Sequence, residues 1–314
     1  MPRVSIGLPV YNGEVYLEDA IRSALAQSFS DLELVICDNA STDRTEEIAR
    51  DLAAGDRRIR YLRNSRNLGA SGNFGLAFYE SRGELFKWLA HDDRLEPAYL
   101  AATVAALDDA PEVVLCNTTV DCIDERGEVL ARYTSVLGDA GGARPAERFA
   151  TMVLRSHTCV DMFGLVRRSA LVGSLLISGF HGADRALLAQ LALRGRLLQL
   201  PEPLLQVREH GKRYTRQKAD PALRRLWHSS EKAASKTLPT LRLYREYLRL
   251  VRTEQLSPGD RRACHRVLAR WWFANWNSLR VATDLISVAA PGVVDRAERI
   301  KTRIFGAAPG HFVN

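Results

Sequence analysis

The chain has 314 residues, of which 46% are hydrophobic and 26% charged, and a net charge of +7. That balance is an ordinary globular one, long enough for one large domain with an appendage or for two. The five cysteines, odd in number and scattered, exclude a disulfide framework, and no Cys/His cluster has zinc-ligand spacing.

The longest apolar stretches are broken by Arg or Asp, so none reaches transmembrane length. Met1-Pro2-Arg3-Val4 leads straight into strand-like residues with no signal-peptide core, so the reducing cytosol is the expected compartment. The charge is unevenly spread. Residues 1–207 carry 22 Lys+Arg and 28 Asp+Glu, a net of −6, whereas residues 208–314 carry 22 and 9, a net of +13. A basic C-terminal third suits an anionic partner such as lipid headgroups, a pyrophosphate-linked acceptor or nucleic acid; a solvated set of basic helices explains it equally well.

Taken in order, Val4–Leu8 reads as a buried strand closed by turn residues at Pro9 and Asn12-Gly13. A helix over Glu14–Gln27 puts Leu17, Ile21, Ala24 and Leu25 on one face. Leu32–Asp38 is the next strand, and Ser41 or Asp43 can cap the helix that follows. Ile59–Leu62 is a strand, Ala70–Tyr79 a helix and Leu85–Leu89 a strand. Pro97 suits the first position of a helix to Leu107, and Val113–Cys116 is a fifth strand. This alternation predicts a mostly parallel, doubly wound α/β sheet.

Beyond residue 118 the pattern mixes. Val120–Ile123 and Glu128–Arg132 flank a hairpin turn. Gly138–Ala143 reads as a loop, Met162–Val166 as a strand, Ser169–Leu175 as a helix and Asp184–Arg194 as a helix ended by Gly195. Leu204–Val207 is a last strand. Past residue 220 three or four helices are expected, broken near Pro239, Ser257-Pro258-Gly259 and Pro291-Gly292, with one running from Arg261 to about Val288. The expected units are 1–215, divided into 1–117 and 118–215, and a helical extension over 216–314.

The chemistry concentrates at predicted strand ends, where open α/β sheets bind ligands. Asp92-Asp93 follows the fourth strand and offers the oxygen ligands with which Mg²⁺ or Mn²⁺ holds a diphosphate. Asp38 ends the second strand, where a carboxylate can accept from a base imide or a ribose hydroxyl. The turn Pro9-Val10-Tyr11-Asn12 exposes backbone to a nucleotide, with Tyr11 able to flank the base or to pack on the sheet. Asn67-Leu68-Gly69 and Asn73 lie at a helix start, where N–H groups attract anions or are simply capped.

Pro9-Val10-Tyr11-Asn12, Cys37-Asp38-Asn39-Ala40-Ser41-Thr42-Asp43, Asn67-Leu68-Gly69 with Asn73, and Ala90-His91-Asp92-Asp93 resemble, in order and spacing, the motifs of family 2 glycosyltransferases. The resemblance covers residues 3–210 and implies a GT-A fold, with a nucleotide-binding half over 1–117 and an acceptor-binding half over 118–215, and an inverting, metal-assisted transfer of sugar from a UDP- or dTDP-sugar. It implies that Asp38 contacts the uracil or thymine ring. Asp92 matches the last carboxylate of a D-x-D motif whose first position is Ala90 here, with Asp93 or water standing in. His210, in Arg208-Glu209-His210, matches a histidine that completes the metal site. Asp184 matches the catalytic base of a Glu-Asp pair that has become Ala183-Asp184, although a helix cap explains an Asp there as well.

The acceptor class stays open among glycan, lipid-linked saccharide and small molecule. Trp271, Trp272, Phe273 and Trp276 suit packing on the catalytic domain, a homodimer seam or a place on the inner face of a membrane. Lys212, Arg213 and Arg216 suit a lid over the diphosphate or a solvated linker. A sugar nucleotidyltransferase would want a glycine-rich phosphate loop after the first strand, which Pro9–Gly13 is not. Ala90 and Ala183 motivate the alternative of a nucleotide-sugar-binding protein without catalysis. No nucleic-acid-binding signature accompanies the basic charge.

Overall fold

The computed structural model describes residues 1–211 and 238–289. Its centre is a nine-stranded sheet: β1 Val4–Val10, β2 Leu32–Asp38, β3 Ile59–Arg63, β4 Leu85–Trp88, β5 Arg94–Leu95, β6 Val113–Ile123, β7 Val129–Tyr133, β8 Leu165–Arg167 and β9 Arg196–Arg208. The strand order is β3-β2-β1-β4-β8-β6-β9-β5, with β7 on β6. β1 to β4 pair in parallel, β9 is parallel to β6, and β8 runs antiparallel between β4 and β6. The expected mostly parallel sheet is therefore present.

Every residue of β1 and β2 is buried, because helices cover both faces. On one side α1 (Leu17–Leu25), α2 (Thr45–Gly55) and α4 (Tyr99–Asp109) pack Ile21, Ala49 and Leu100 onto Ile6, Leu8 and Leu34. The other holds α3 (Gly69–Tyr79), α5 (Pro145–Leu154), the short α6 (Arg168–Leu171) and α7 (Ala183–Arg194). Beyond them lie α8 (Pro239–Thr253), α9 (Pro258–Trp271) and α10 (Asn277–Ala289). α8 and α9 bury Tyr247, Leu250, Leu268 and Trp271 in the same apolar cluster as Phe149 of α5 and Leu187 of α7. Glu254, just past α8, accepts from Nε and Nη2 of Arg194 at 2.9 Å and from Gln190 at 2.6 Å, which pins the extension to α7.

Several expected boundaries move, each for a physical reason. β6 is one strand through Ile123: Asn117 interrupts the apolar pattern but is buried, taking a hydrogen bond from Tyr99 (3.0 Å) and giving one to Asp161 (3.3 Å). β9 starts at Arg196, eight residues before the expected strand, since Pro201 and Pro203 masked its first half. Pro97 is not a helix residue; α4 begins at Tyr99, and the Pro97 carbonyl accepts from Ser28. Gly138–Ala143 is not wholly loop: a 3-10 turn, Val136–Ala140, leads into α5, which went unread. The strand expected over Met162–Val166 is a 3-10 turn, Val160–Phe163, followed by β8, and the helix after it ends at Leu171. The helix expected from Arg261 to Val288 breaks at Ala274–Trp276, where Asn275 and Trp276 have φ of 50° and 57°. Lys212, Arg213, Arg216 and the Pro291-Gly292 break lie outside the described residues.

Lys87 is fully buried in β4, its ammonium donating to the Trp88 carbonyl (3.0 Å) and lying 4.8 Å from the Tyr99 ring. Burial pushes its pKa down to about 7, against the opposing pull of Asp93. A depressed lysine pKa penalises the fold most where the folded protein still holds the proton, and the penalty shrinks as pH rises from 7 towards 10.5. Lys87→Met is therefore expected to raise the melting temperature more at pH 6 than at pH 9, checked by calorimetry at both; an equal gain would show that Lys87 does not titrate in this window.

Candidate active site

The carboxyl ends of β1 and β2 are joined by two loops that hydrogen-bond to each other. Asn12, in the left-handed conformation (φ 52°), donates its N–H to Ser41 Oγ (2.9 Å) and accepts from the Thr42 N–H at Oδ1 (2.8 Å). Gly13 N–H reaches Thr45 Oγ1 at 2.8 Å, and Glu14 N–H reaches Asp43 at 3.1 Å. A Cβ at Gly13 would sit 2.6 Å from Val10 and 2.7 Å from His91, so glycine is required for the close approach. Asn12 and Asp43 thus clasp these loops, and Asp43 Oδ1 also accepts from the Thr45 N–H at the start of α2 (3.0 Å). Pro9 is buried within β1, while Tyr11 beyond it is 46% exposed and free to flank a planar ligand.

Asp38 is fully buried at the end of β2. One carboxylate oxygen accepts from the Ser41 N–H (2.9 Å), the other from Tyr61 Oη (2.8 Å) and Arg63 (2.7 Å). Three donors occupy three of about four acceptor sites on a carboxylate, so one lone-pair position is unfilled although the side chain has no exposed surface. Burial and the hydrogen bond to Asp38 raise the Tyr61 phenol, keeping it a donor. Tyr61 and Arg63 lie on β3 and carried no sequence signal: β-strand residues 23 and 25 positions away meet Asp38 only through sheet register.

Asn67 and Asn73 belong to a side-chain network rather than projecting at a ligand. Asn67 Oδ1 accepts from Asn39 Nδ2 (2.9 Å) and from the Gly69 N–H (2.7 Å). Asn73 donates to the Cys37 carbonyl (2.7 Å) and accepts from Asn64 (3.0 Å). Amides serve here because each carries both donor and acceptor, and buried strand-end carbonyls need donors. Asn39 and Asn64 were missed as members.

The acidic loop after β4 meets the end of β9. Asp92 Oδ2 lies 2.9 Å from His210 Nε2. Asp93, 1% exposed, accepts from the Arg208 N–H at 3.0 Å and faces the charge of Lys87, so it is turned inward rather than towards the pair. Arg208, whose side chain is 2% exposed, donates to the carbonyls of Asp92 (3.1 Å), Asp124 (3.2 Å) and Glu125 (3.1 Å) and to the Asp19 carboxylate (3.3 Å). Its guanidinium lies 4.7 Å from the Tyr16 ring, which contacts the His210 ring at 5.0 Å. Among the described residues no group of three or more His, Cys, Asp or Glu is arranged to hold a metal. The Asp92–His210 pair still fits one: neighbouring ligands on an octahedron with bonds of about 2.1 Å stand about 3 Å apart, and a diphosphate and water complete such a shell.

Asp184 lies in the first turn of α7. It is not the cap; Gly182 is, at φ 88°, with Leu243 of α8 only 3.3 Å from where a Cβ would be. Burial, with the Asp184 carboxylate beside it, raises the Cys159 thiol well above its ordinary range, so the thiol stays protonated next to that carboxylate. Arg185 donates to the His157 carbonyl at 2.7 Å, and Tyr247 of α8 shares the electrostatic surroundings of Asp184 and Arg185. Ala183 is 3% exposed in the apolar cluster, where a glutamate would bury a charge. The loop before α7 reaches α3, since Ser71 Oγ donates to the Ile177 carbonyl at 2.6 Å.

Against known proteins, the model of glycosyl transferase family 2 matches residues 5–172. The chain belongs to that family. The match includes Asp38 and Asp92 and stops before Asp184 and His210. An uncharacterized glycosyltransferase of Rickettsia typhi is 35% identical over 132 residues, 41% of this chain and 40% of that protein, so the match spans about two-fifths of its length. A family relative of Campylobacter jejuni, named GalNAc(5)-diNAcBac-PP-undecaprenol beta-1,3-glucosyltransferase, is 27% identical over 188 residues, 60% of this chain and 59% of the relative. Among solved structures, S. aureus TarS 1-349 in complex with UDP-GlcNAc superposes with a TM-score of 0.63 at 14% identity, over 86% of this chain and 72% of that one. Mannosyltransferase PcManGT from Pyrobaculum calidifontis, in complex with GDP-Man and Mn²⁺, gives 0.55 at 18% identity, over 97% and 83%. The fold is GT-A, as the motifs implied.

Arg208→Lys keeps the charge but removes the planar fork that reaches three carbonyls. Outer residues that orient metal ligands contribute about 10- to 100-fold in affinity. The variant is expected to fold and to bind Mn²⁺ about tenfold more weakly in the presence of UDP, as read by electron paramagnetic resonance of free Mn²⁺; unchanged affinity would leave Arg208 a purely structural tie.

Proposed function

We propose that the protein is an inverting glycosyltransferase that moves a sugar from a UDP-sugar, or a dTDP-sugar of similar base, to an acceptor hydroxyl with the help of Mn²⁺ or Mg²⁺. The observation that carries this reading is the Asp92–His210 pair, at the separation of neighbouring metal ligands, on the same sheet edge as the partly engaged Asp38. The UDP-GlcNAc complex of TarS and the GDP-Man–Mn²⁺ complex of the archaeal mannosyltransferase support it by analogy of fold.

In this reading Asp38 receives the base N–H, with Tyr11 against the ring. Asp92 and His210 would hold the metal, which would supply positive charge against the departing diphosphate. The bond from the anomeric carbon to the diphosphate oxygen breaks, its electron pair leaving with the nucleoside diphosphate. The carbon passes through an oxocarbenium-like state as the acceptor oxygen attacks from the opposite face. Asp184 takes the acceptor proton, with Cys159 and Arg185 holding its carboxylate side of α7 in place. Inversion follows from the single displacement. The acceptor side is built from α7, its entry loop and α8; a lipid-linked saccharide suits the basic charge of residues 208–314, and the Campylobacter relative is named for a PP-undecaprenol-linked substrate.

Ligands that bind only the folded state raise the melting temperature. UDP with Mn²⁺ is expected to stabilise the wild type, UDP alone much less, and Asp92→Ala not at all; dTDP should follow UDP, and GDP should not. Absence of any nucleotide shift would defeat the donor reading. Asp184→Asn should keep the shift and lose transfer by about 10²- to 10⁴-fold. A variant that binds and transfers normally would remove Asp184 as base, and wild type that binds without turnover would make this a nucleotide-sugar-binding protein.

A further inference from the structure

The aromatic residues at the end of α9 divide into two sets. Tyr244, Trp271 and Trp272 stack on one another, with ring centroids 4.9–5.4 Å apart, and lie in or against the core. Phe273 and Trp276 do the opposite: they are 90% and 79% exposed, and Leu279 next to them is 61% exposed. The chain adopts an unfavourable backbone to display them, since Trp276 itself is left-handed. Asn275 Nδ2 on the Leu154 carbonyl (2.8 Å) and Asn277 Nδ2 on the Trp271 carbonyl (2.9 Å) hold that corner.

The charges around the corner are also arranged. Helical spacing puts Arg262, Arg266 and Arg270 on one exposed stripe of α9, which runs towards Phe273 in the turn beyond its end. Leu279, Thr283 and Ile286 form an exposed stripe on α10, with Arg280 beside it. Arginines on α1 and at α2 have partners: Arg22 with Glu18, Arg44 with Glu47 and Arg50 with Glu46, all at 2.7–2.8 Å, whereas Arg245 and Arg252 of α8 make no ion pair among the described residues. None of Arg262, Arg266, Arg270 and Arg280 makes an ion pair among the described residues. The two acids between Ser257 and Ala289, Asp260 and Asp284, are held by Arg144 and by the Thr240 N–H.

We propose that the Phe273–Trp276 corner, with the arginine stripe of α9 and the apolar stripe of α10, is a docking surface for an anionic phospholipid bilayer. Aromatic rings at the headgroup level, a shallow apolar face and cations that meet lipid phosphates are what such a surface requires. No helix of the described residues is long and apolar enough to cross a membrane, so the contact lies on the surface. A second copy is disfavoured as occupant, because a two-fold interface here would set the unpaired arginines against themselves. The proposal extends the lipid-linked acceptor reading, since docking by α9 and α10 would hold the acceptor side of the enzyme at the bilayer.

The test is flotation of the full chain with vesicles of phosphatidylcholine alone and with added phosphatidylglycerol, at low and high salt. Binding is expected only to the anionic vesicles and is expected to weaken with salt. Phe273→Ser with Trp276→Ser should lose at least about tenfold of it. Arg262→Gln, Arg266→Gln and Arg270→Gln should each lose about fivefold. All variants should keep the UDP–Mn²⁺ thermal shift, which reads the fold and the donor site separately; vesicle binding without any nucleotide shift would sink the donor reading and leave this surface standing. The proposal is overturned by equal binding to neutral vesicles, by no binding, or by variants that bind like wild type. It is also overturned if light scattering shows a dimer that Phe273→Ser with Trp276→Ser dissociates, or if a DNA duplex rather than the vesicles is retained through the same residues.

Discussion

A buried arginine at the end of the longest strand governs the geometry of the candidate active site. Arg208 joins β9 to the acidic loop after β4, to the β6–β7 turn and to α1, through the carbonyls of Asp92, Asp124 and Glu125 and the Asp19 carboxylate. A guanidinium taken out of water is tolerated only when its donors are satisfied, and here they are satisfied by four chain positions that must then stay together. The backbone N–H of the same residue holds Asp93, and its guanidinium lies on Tyr16, which in turn touches His210. Both members of the Asp92–His210 pair are thereby oriented from behind by one side chain, a form of preorganisation that a site with few acidic groups needs.

The nucleotide side is rigidified differently. Loops after β1 and β2 hydrogen-bond to each other, and amides of Asn39, Asn64, Asn67 and Asn73 saturate the strand-end carbonyls and the start of α3. Most polar residues in the recognisable motifs therefore build the walls of the site. Tyr11, 46% exposed, stands apart from that network, and the Asp92–His210 pair lies beside it at the end of β9 rather than within it.

The helical extension is part of this construction. Glu254 grips α7 through Arg194 and Gln190, Leu243 closes over Gly182, Arg242 lies over the Phe180 ring at 4.8 Å, and Tyr247 packs edge-on against Phe149. The loop that carries Asp184 into α7 is thus braced on its outer side by α8. Buried Ala183 accommodates that approach, which gives a packing reason for the absence of a second acid beside Asp184.

The alternation of apolar strands and amphipathic helices was enough to predict the sheet class, and β2 was legible to the residue because both its ends carry polar or turn residues. The buried Asn117 and the prolines of β9 hid the length of β6 and β9, since polar residues satisfied in the interior look like loop in a linear pattern. Asp38, Asp92, Asp184 and His210 stood out because motif spacing along the chain places them at strand ends and a helix start. Arg63, Tyr61, Cys159, Tyr247 and the tying role of Arg208 did not, because their partners lie 23 to 189 residues away or, for Cys159 and Tyr247, on a separate helix. Likewise, the clustered aromatics of the tail announced an unusual surface, but only the left-handed break at Asn275 and Trp276 decided which rings are buried and which face outward. By itself the sequence determined the family, the α/β class and the chemical types at the strand ends, because local periodicity and motif spacing encode them. The tertiary structure decided which carboxylate meets His210, what holds it there and how the extension braces α7, because long-range contacts form only when the sheet register and helix packing bring distant residues together.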